Sequence, residues 1–346
     1  MDLELSGITK RFGGQTVLDR ISFRLQQPEL VSIIGPSGVG KTTLLKIIAQ
    51  LDRQDHGQVS FSRPVDKKNP VILVFQDYVL FPNMTVWDNV AFGLRVRKAG
   101  KLDIRVRVQR MLDYFYLQAQ SGHYPAQLSA GQRQRVAIAR AMVINPAVLL
   151  LDEPFANLDR NLKMETARFI RRTQKEFGIP TISVTHDLEE AFAMSDKIGI
   201  LLNGALKQFD TPRQIYFSPN SYEVASFLGP VNTIPKSLYP FLGLGNSIQV
   251  RDEIFARPET LSMTADDQGP ARVVDVSFAG HYIVYSVQLE GTVLTVYCQN
   301  ESFPVGQRVR LNLKTLNRGD QAQTWTPSSM LAMDCKKKAS AEKFKA

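Results

Sequence analysis

Cysteine is nearly absent from this chain of 346 residues, with Cys298 and Cys335 the only two. Their spacing fits neither a zinc site nor a disulfide framework, and so little cysteine points to a reducing compartment. No apolar run approaches the roughly 20 residues that a membrane-spanning helix requires. The opening Met1-Asp2-Leu3-Glu4 is acidic and lacks the basic-then-apolar order of an export signal. Disorder is excluded too, because hydrophobic residues make up 44% of the chain, and its length favours two domains. The formal charge is +9, and residues 334–346 carry five lysines against Asp334 and Glu342. That segment is expected to be a solvated, flexible tail, with anionic lipid or nucleic acid as the alternative partner.

What the chain does contain is organised around Gly35-Pro36-Ser37-Gly38-Val39-Gly40-Lys41-Thr42-Thr43. An apolar run, Leu30-Val31-Ser32-Ile33-Ile34, precedes it and a helix-like run, Leu44-Leu45-Lys46-Ile47-Ile48-Ala49, follows. Strand, glycine loop and helix form the context in which G-x-x-x-x-G-K-[ST] binds phosphate. Gly35, Gly38 and Gly40 let the backbone curl until successive N–H groups, with those of Ser37 and Thr43, face phosphate oxygens. The helix starting near Lys41 adds its positive dipole end. Lys41 brings a mobile charge to the β- and γ-phosphates, and the Thr42 hydroxyl suits Mg²⁺.

Residues 3–8 and 17–25 read as strands joined through Lys10-Arg11-Phe12-Gly13-Gly14, where Phe12 is either a packing residue or a platform for a base. Residues 57–61 and 71–75 read as further strands, the second followed by Gln76. Residues 85–117 turn helical, with Val86, Val90 and Leu94 on one stripe and Val108, Met111, Leu112 and Phe115 on another. Leu128-Ser129-Ala130-Gly131-Gln132 then precedes a helical run over 133–144, with Ser129 placed as its N-cap. The small residues there would admit an anion to the first-turn N–H groups, a second phosphate cradle that one nucleotide does not obviously need.

Val148-Leu149-Leu150-Leu151 is apolar throughout, as in the middle of a parallel sheet, and ends in Asp152-Glu153. Ligands of such sheets sit at the carboxyl ends of the strands, so both acids face the phosphate-loop crevice. Asp152 reads as the Mg²⁺ partner and Glu153 as the group that positions or deprotonates water. Ala156-Asn157-Leu158-Asp159 starts an amphipathic helix. Thr181-Ile182-Ser183-Val184 is another buried strand, ending at Thr185-His186-Asp187, where His186 is either structural or a γ-phosphate sensor.

Taken in order, the phosphate loop, Gln76, Leu128-Ser129-Ala130-Gly131-Gln132, Leu151-Asp152-Glu153-Pro154, Asp159 and His186 resemble the ATP-binding-cassette ATPases over roughly residues 1–230. The resemblance implies an α/β fold: a P-loop cassette with a central, mainly parallel sheet, an antiparallel β subdomain and a helical insert at about 85–128. It implies ATP and Mg²⁺ as cofactors and a head-to-tail dimer in which Ser129, Gly131 and Gln132 of one copy close on the ATP of the other. By the same resemblance Phe12 stacks on adenine and Asp159 contacts the second copy. Gln76 links Mg²⁺ and water to a membrane partner, so that Thr42, Gln76 and Asp152 surround the metal and Glu153, His186 and Gln76 serve catalysis. Ala130 stands where the family usually has glycine, which is tolerated if its φ stays negative.

Beyond Phe227-Leu228-Gly229-Pro230-Val231-Asn232, short alternating strands predict a small all-β barrel over 233–333, which resembles the C-terminal oligonucleotide-binding-like domain of importer ATPases. No strand interleaves paired aromatics with lysines, so no nucleic-acid partner is expected. The implied function is the ATPase of an importer at the cytoplasmic face of the membrane. It would drive two transmembrane permease subunits on other chains, with an extracytoplasmic solute-binding protein acting indirectly. Tyr124-Pro125-Ala126-Gln127 and the 227–232 segment look most like sulfate importers, with polyamine, ferric-iron and sugar types as alternatives. A cassette ATPase acting on nucleic acid and a regulatory module without hydrolysis are the competing classes.

Overall fold

The computed structural model describes residues 2–26, 28–67, 69–155, 159–244, 253–299 and 302–313, apart from the side chains of Arg160 and Asn161. Ala156-Asn157-Leu158, expected to start an amphipathic helix, and the basic tail lie outside these residues. The chain divides into two compact units, Met1–Ile215 and Tyr216 onward.

The first unit carries two sheets. Strands β1 (Leu3–Phe12), β2 (Gln15–Leu25) and β4 (His56–Phe61) form an antiparallel sheet in the order β2-β1-β4. Gly13 and Gly14, both at positive φ, make the β1–β2 turn. The main sheet has the order β5-β6-β7-β3-β8-β9. Its members are β3 (Leu30–Ile34), β5 (Val71–Val74), β6 (Val148–Asp152), β7 (Thr181–Thr185), β8 (Lys197–Leu202) and β9 (Ala205–Asp210). All are parallel except β9, which pairs antiparallel with β8. Strands β3, β6 and β7 are buried at every residue, which is why they read as unbroken apolar or small-residue runs rather than alternating ones.

Helix α1 (Lys41–Ile48) packs on this sheet through Leu44, Leu45, Ile47 and Ile48. The expected helical stretch at 85–117 is two helices, α2 (Val86–Val96) and α3 (Lys101–Tyr114). They part where Lys98 takes a left-handed φ of 56° ahead of Gly100, the cap of α3. Helix α4 (Ala130–Met142) starts three residues before the expected 133 because Ser129 and Gln132 form a capping box in front of it. Helices α5 (Arg160–Phe177) and α6 (Leu188–Met194) pack with α2, α3 and α4 in the core that holds Leu149 and Leu151 of β6, on the face of the sheet opposite α1.

Helix α7 (Pro212–Phe217) crosses the division, and α8 (Tyr222–Phe227) lies in the second unit. The second unit begins ahead of the composition change near 233 because its first residues are tied into it. The Tyr216 hydroxyl donates to Glu259, the Tyr222 and Phe255 rings lie 4.9 Å apart, and Arg257 donates to the carbonyls of Gly229 and Pro230. The unit contains a two-stranded sheet, β10 (Asn232–Pro235) with β11 (Glu253–Ala256). Its antiparallel five-stranded sheet has the order β12-β16-β13-β14-β15. These strands are β12 (Leu261–Ala265), β13 (Ala271–Phe278), β14 (Ile283–Leu289), β15 (Thr292–Cys298) and β16 (Arg308–Leu313). The edge strands β12 and β15 come together around Tyr285, Val287, Leu294 and Leu311, a barrel-like closure.

Candidate active site

Strand order decides what meets at the carboxyl end of the main sheet. With β7 between β6 and β3, the register sets Asp152 beside Val184 and Ile34 beside Thr185. The phosphate loop after β3, the acids after β6 and His186 after β7 therefore share one crevice. The Lys41 side chain, itself buried, donates to the carbonyls of Gly35 (2.8 Å) and Pro36 (3.0 Å), bracing the loop across its mouth. Burial pushes the Lys41 ammonium below its ordinary pKa, while the charges of Glu153 and Asp152 pull it back up. The Thr42 hydroxyl donates to Asp152 Oδ1 at 3.0 Å. Burial raises the Asp152 carboxyl pKa, and the Thr42 hydrogen bond opposes that rise.

Glycine is required at two points of the loop by its surroundings. Gly40 has a φ of 107°, and a Cβ there would stand 2.9 Å from Leu18 Cδ2. At Gly35 a Cβ would overlap the Leu201 carbonyl oxygen on β8. Gly35→Ala is expected to lower nucleotide affinity at least about tenfold by displacing the loop, although residue 35 carries no functional side chain. Equilibrium binding of a fluorescent ATP analogue measures this, with a melting curve to record the cost to the fold.

Across the crevice, Glu153 Oε2 lies 3.3 Å from His186 Nδ1, and the His186 side chain is 52% exposed. The turn that carries His186 is held from below. The Thr185 hydroxyl donates to Glu190 Oε2 at 2.6 Å and accepts from the Asp187 N–H. Lys163 on α5 reaches Glu190 Oε1 at 3.1 Å and Asp187 Oδ2 at 3.5 Å. Burial raises the Glu190 carboxyl pKa, against the pull of Thr185 and Lys163. Lys163 and Glu190 were not singled out in the sequence; the available signal was a glutamate beside Ala191 and Met194 on the buried stripe of α6.

The remaining expected residues are placed as follows. Phe12 ends β1 with its ring half exposed and the Lys10 ammonium 4.9 Å from the ring centre. Gln76 is exposed just beyond β5, at the same end of the sheet as Asp152. The Ser129 hydroxyl accepts from the Gln132 N–H, while the Gln132 side chain accepts from the Ser129 N–H. Among the described residues, these two side chains bond each other's backbone and not the phosphate loop. Ala130 sits in the first turn of α4 and is not among the positive-φ residues, so its methyl group is accommodated. A Cβ at Gly131 would make only ordinary contact with Leu162, at 3.5 Å. Asp159 caps α5 by accepting from the Leu162 N–H.

Beside this crevice lies an apolar cavity of about 860 Å³ lined in part by Phe75, Val79, Phe81, Phe92, Ile144 and Arg140. The loop that forms its wall is shaped by Asn89, fully buried, whose side chain bonds the N–H and carbonyl of Phe81 and the carbonyls of Met84 and Thr85.

A phosphate loop at the end of a parallel strand, facing paired acids and a histidine from neighbouring strands, defines a P-loop nucleoside triphosphatase. A family model described as ABC transporter matches residues 18–156, and one described as TOBE domain matches residues 254–315. The sulfate/thiosulfate import ATP-binding protein CysA of Gloeobacter violaceus is 40% identical over 310 residues, covering 87% of this chain and 89% of that protein. The spermidine/putrescine import ATP-binding protein PotA of Hahella chejuensis is 39% identical over 317 residues, covering 83% and 87%. A solved dimeric ATP-binding cassette in a post-hydrolysis state, bound to ADP and Pi, aligns with a TM-score of 0.54 at 31% identity, covering 61% of this chain and 99% of that one. The chain belongs to the ATP-binding-cassette family and is an ATPase with a C-terminal TOBE domain.

Proposed function

We propose that this chain is the ATP-hydrolysing subunit of an importer for sulfate or thiosulfate. The observation that carries the chemistry is the pairing of Glu153 with His186 opposite Lys41, Thr42 and Asp152. Lys41 binds the β- and γ-phosphates, and Phe12 offers its free face to adenine. Thr42 and Asp152 present hard oxygen ligands suited to Mg²⁺, with Gln76 as a third at the same sheet end. Among the described residues no three His, Cys, Asp or Glu side chains gather into a metal site, so such an ion would share its shell with nucleotide phosphates. Bound there, Mg²⁺ would neutralise charge on the phosphate oxygens. Glu153 accepts a proton from the attacking water, and His186 holds Glu153 in place and reaches the γ-phosphate.

The surplus cradle at Ser129, Gly131 and Gln132 supports a composite site. Among the described residues nothing requires glycine at 131, where a Cβ would make only ordinary contact with Leu162, and its absent side chain leaves room for a phosphate from outside. Two copies related by a two-fold axis would bury two ATP molecules, each between Lys41 of one and Ser129 of the other, with Asp159 near the junction. Residues 1–232 are the working part, and the barrel that follows is regulatory.

Sulfate or thiosulfate as cargo is supported by curated relatives of that name matching at 37–44% identity. The Hahella relative, of the polyamine type, covers a similar share of the chain, so the support for sulfate is the recurrence of that name among the relatives. No described helix is long and apolar enough to cross a membrane, so the passage itself is assigned to two permease subunits on other chains, at whose cytoplasmic face this chain docks. The apolar cavity beside Phe81 is the proposed seat of a permease helix. Phe81→Asp is expected to abolish sulfate uptake by the assembled importer while leaving ATP affinity of the isolated chain within about twofold, because a buried unpaired charge would be needed at the joint. Radiolabelled sulfate uptake into proteoliposomes, with spermidine as the competing cargo, tests both statements. Uptake of spermidine but not sulfate by the parent importer would reassign the cargo, and undiminished uptake by Phe81→Asp would place the joint elsewhere.

A further inference from the structure

Glu153 is held in an unusual backbone. Its φ of 43° lies in the left-handed region, which a non-glycine residue keeps only where its surroundings over-determine it. On one side, the Glu153 N–H donates to the Val184 carbonyl at 3.0 Å. On the other, the carbonyl of Pro154 accepts two hydrogen bonds, from the Tyr78 hydroxyl at 3.1 Å and from Gln134 Nε2 at 2.7 Å. Both donors are buried, Gln134 completely. The Gln134 carboxamide oxygen has no hydrogen-bond partner among the described residues, so this glutamine occupies a buried site for the sake of one bond. A packing role would not explain that, since methionine fills the same volume with nothing left unsatisfied.

Tyr78 is itself fixed. Tyr78 and Val79 both adopt left-handed φ, at 59° and 39°, and their carbonyls accept from the Arg140 guanidinium at 3.1 and 3.0 Å. The segment after Gln76, the end of β6 and the middle of α4 thus meet on a single carbonyl oxygen, one residue beyond Glu153.

We infer that Tyr78 and Gln134 are positioning residues for Glu153. By pinning the Pro154 carbonyl they hold the strained turn that aims the Glu153 carboxylate into the nucleotide crevice. The inference rests on the reading of Glu153 as the group that takes the proton from water. Since two donors share one acceptor, either alone keeps part of the restraint, and losing both releases it.

Tyr78→Phe and Gln134→Met remove the donors while keeping side-chain volume. Each single variant of the full chain is expected to lower kcat about threefold, and the double variant more than the product of the two, at least about twentyfold. KM for ATP and the affinity for a fluorescent ATP analogue are expected to stay within about twofold. A structural role alone would instead show as lower melting temperature and weaker nucleotide binding, with kcat of the folded fraction unchanged. Glu153→Gln is measured alongside. If it is slow while the double variant keeps the parent kcat, the positioning inference is overturned alone. If Glu153→Gln turns over like the parent, the reading of Glu153 falls and takes the inference with it. Loss of turnover in the double variant that is matched by loss of nucleotide affinity would also overturn it.

Discussion

Glu153→Gln is expected to bind ATP with parental affinity and to hydrolyse it at least about a hundredfold more slowly. The carboxamide keeps the size of the side chain and a polar contact to His186, but it cannot accept the proton of the attacking water. Removing a general base at such a position costs about 10²–10⁴ in rate. The Thr42–Asp152 contact at 3.0 Å lies outside the substitution, so nucleotide and metal binding are spared. Single-turnover hydrolysis at saturating ATP reads the rate directly. A parental rate would show that water is activated by some other group.

Lys41→Ala fails at an earlier step. The ammonium is the charge facing the β- and γ-phosphates, and it also bridges the carbonyls of Gly35 and Pro36. Its loss removes a charge-assisted contact to the nucleotide and leaves two loop carbonyls without their donor. A hydrogen bond to a charged group contributes about 1.5–3 kcal/mol, so ATP affinity is expected to fall about ten- to a hundredfold. The two variants therefore separate cleanly: one binds without turning over, the other scarcely binds. Titration with an ATP analogue distinguishes them, and parental affinity in Lys41→Ala would remove the lysine from the phosphate site.

The parts of this molecule that the sequence discloses are those in which local pattern and tertiary role coincide. The phosphate loop is legible because strand, glycine turn and helix are contiguous, and β6 because a strand buried on both faces leaves no polar position before Asp152. Ser129 is legible as a cap, yet the first turn of the helix it starts is less so, since Gly131 interrupts the helix-forming pattern there and the reciprocal Ser129–Gln132 bonds bring it into the helix. The β8–β9 hairpin does carry a local signal, Asn203-Gly204, at φ of 51° and 73°, although its strands do not alternate cleanly around it. Least legible is what acts at a distance along the chain. Tyr78 and Gln134 meet Pro154 from 76 and 20 residues away, and Lys163 reaches Glu190 from another helix. Such meetings depend on the strand order, which no local pattern contains.

Two half-sites on one chain lead to the central proposal, that ATP is enclosed between two copies. Size-exclusion chromatography with light scattering on Glu153→Gln, with and without saturating ATP and Mg²⁺, tests it most directly. The account predicts the mass of one 38.8 kDa chain without ATP and twice that mass with it, a shift that Lys41→Ala does not show. A Glu153→Gln protein that binds ATP yet keeps the single-chain mass would contradict the composite site.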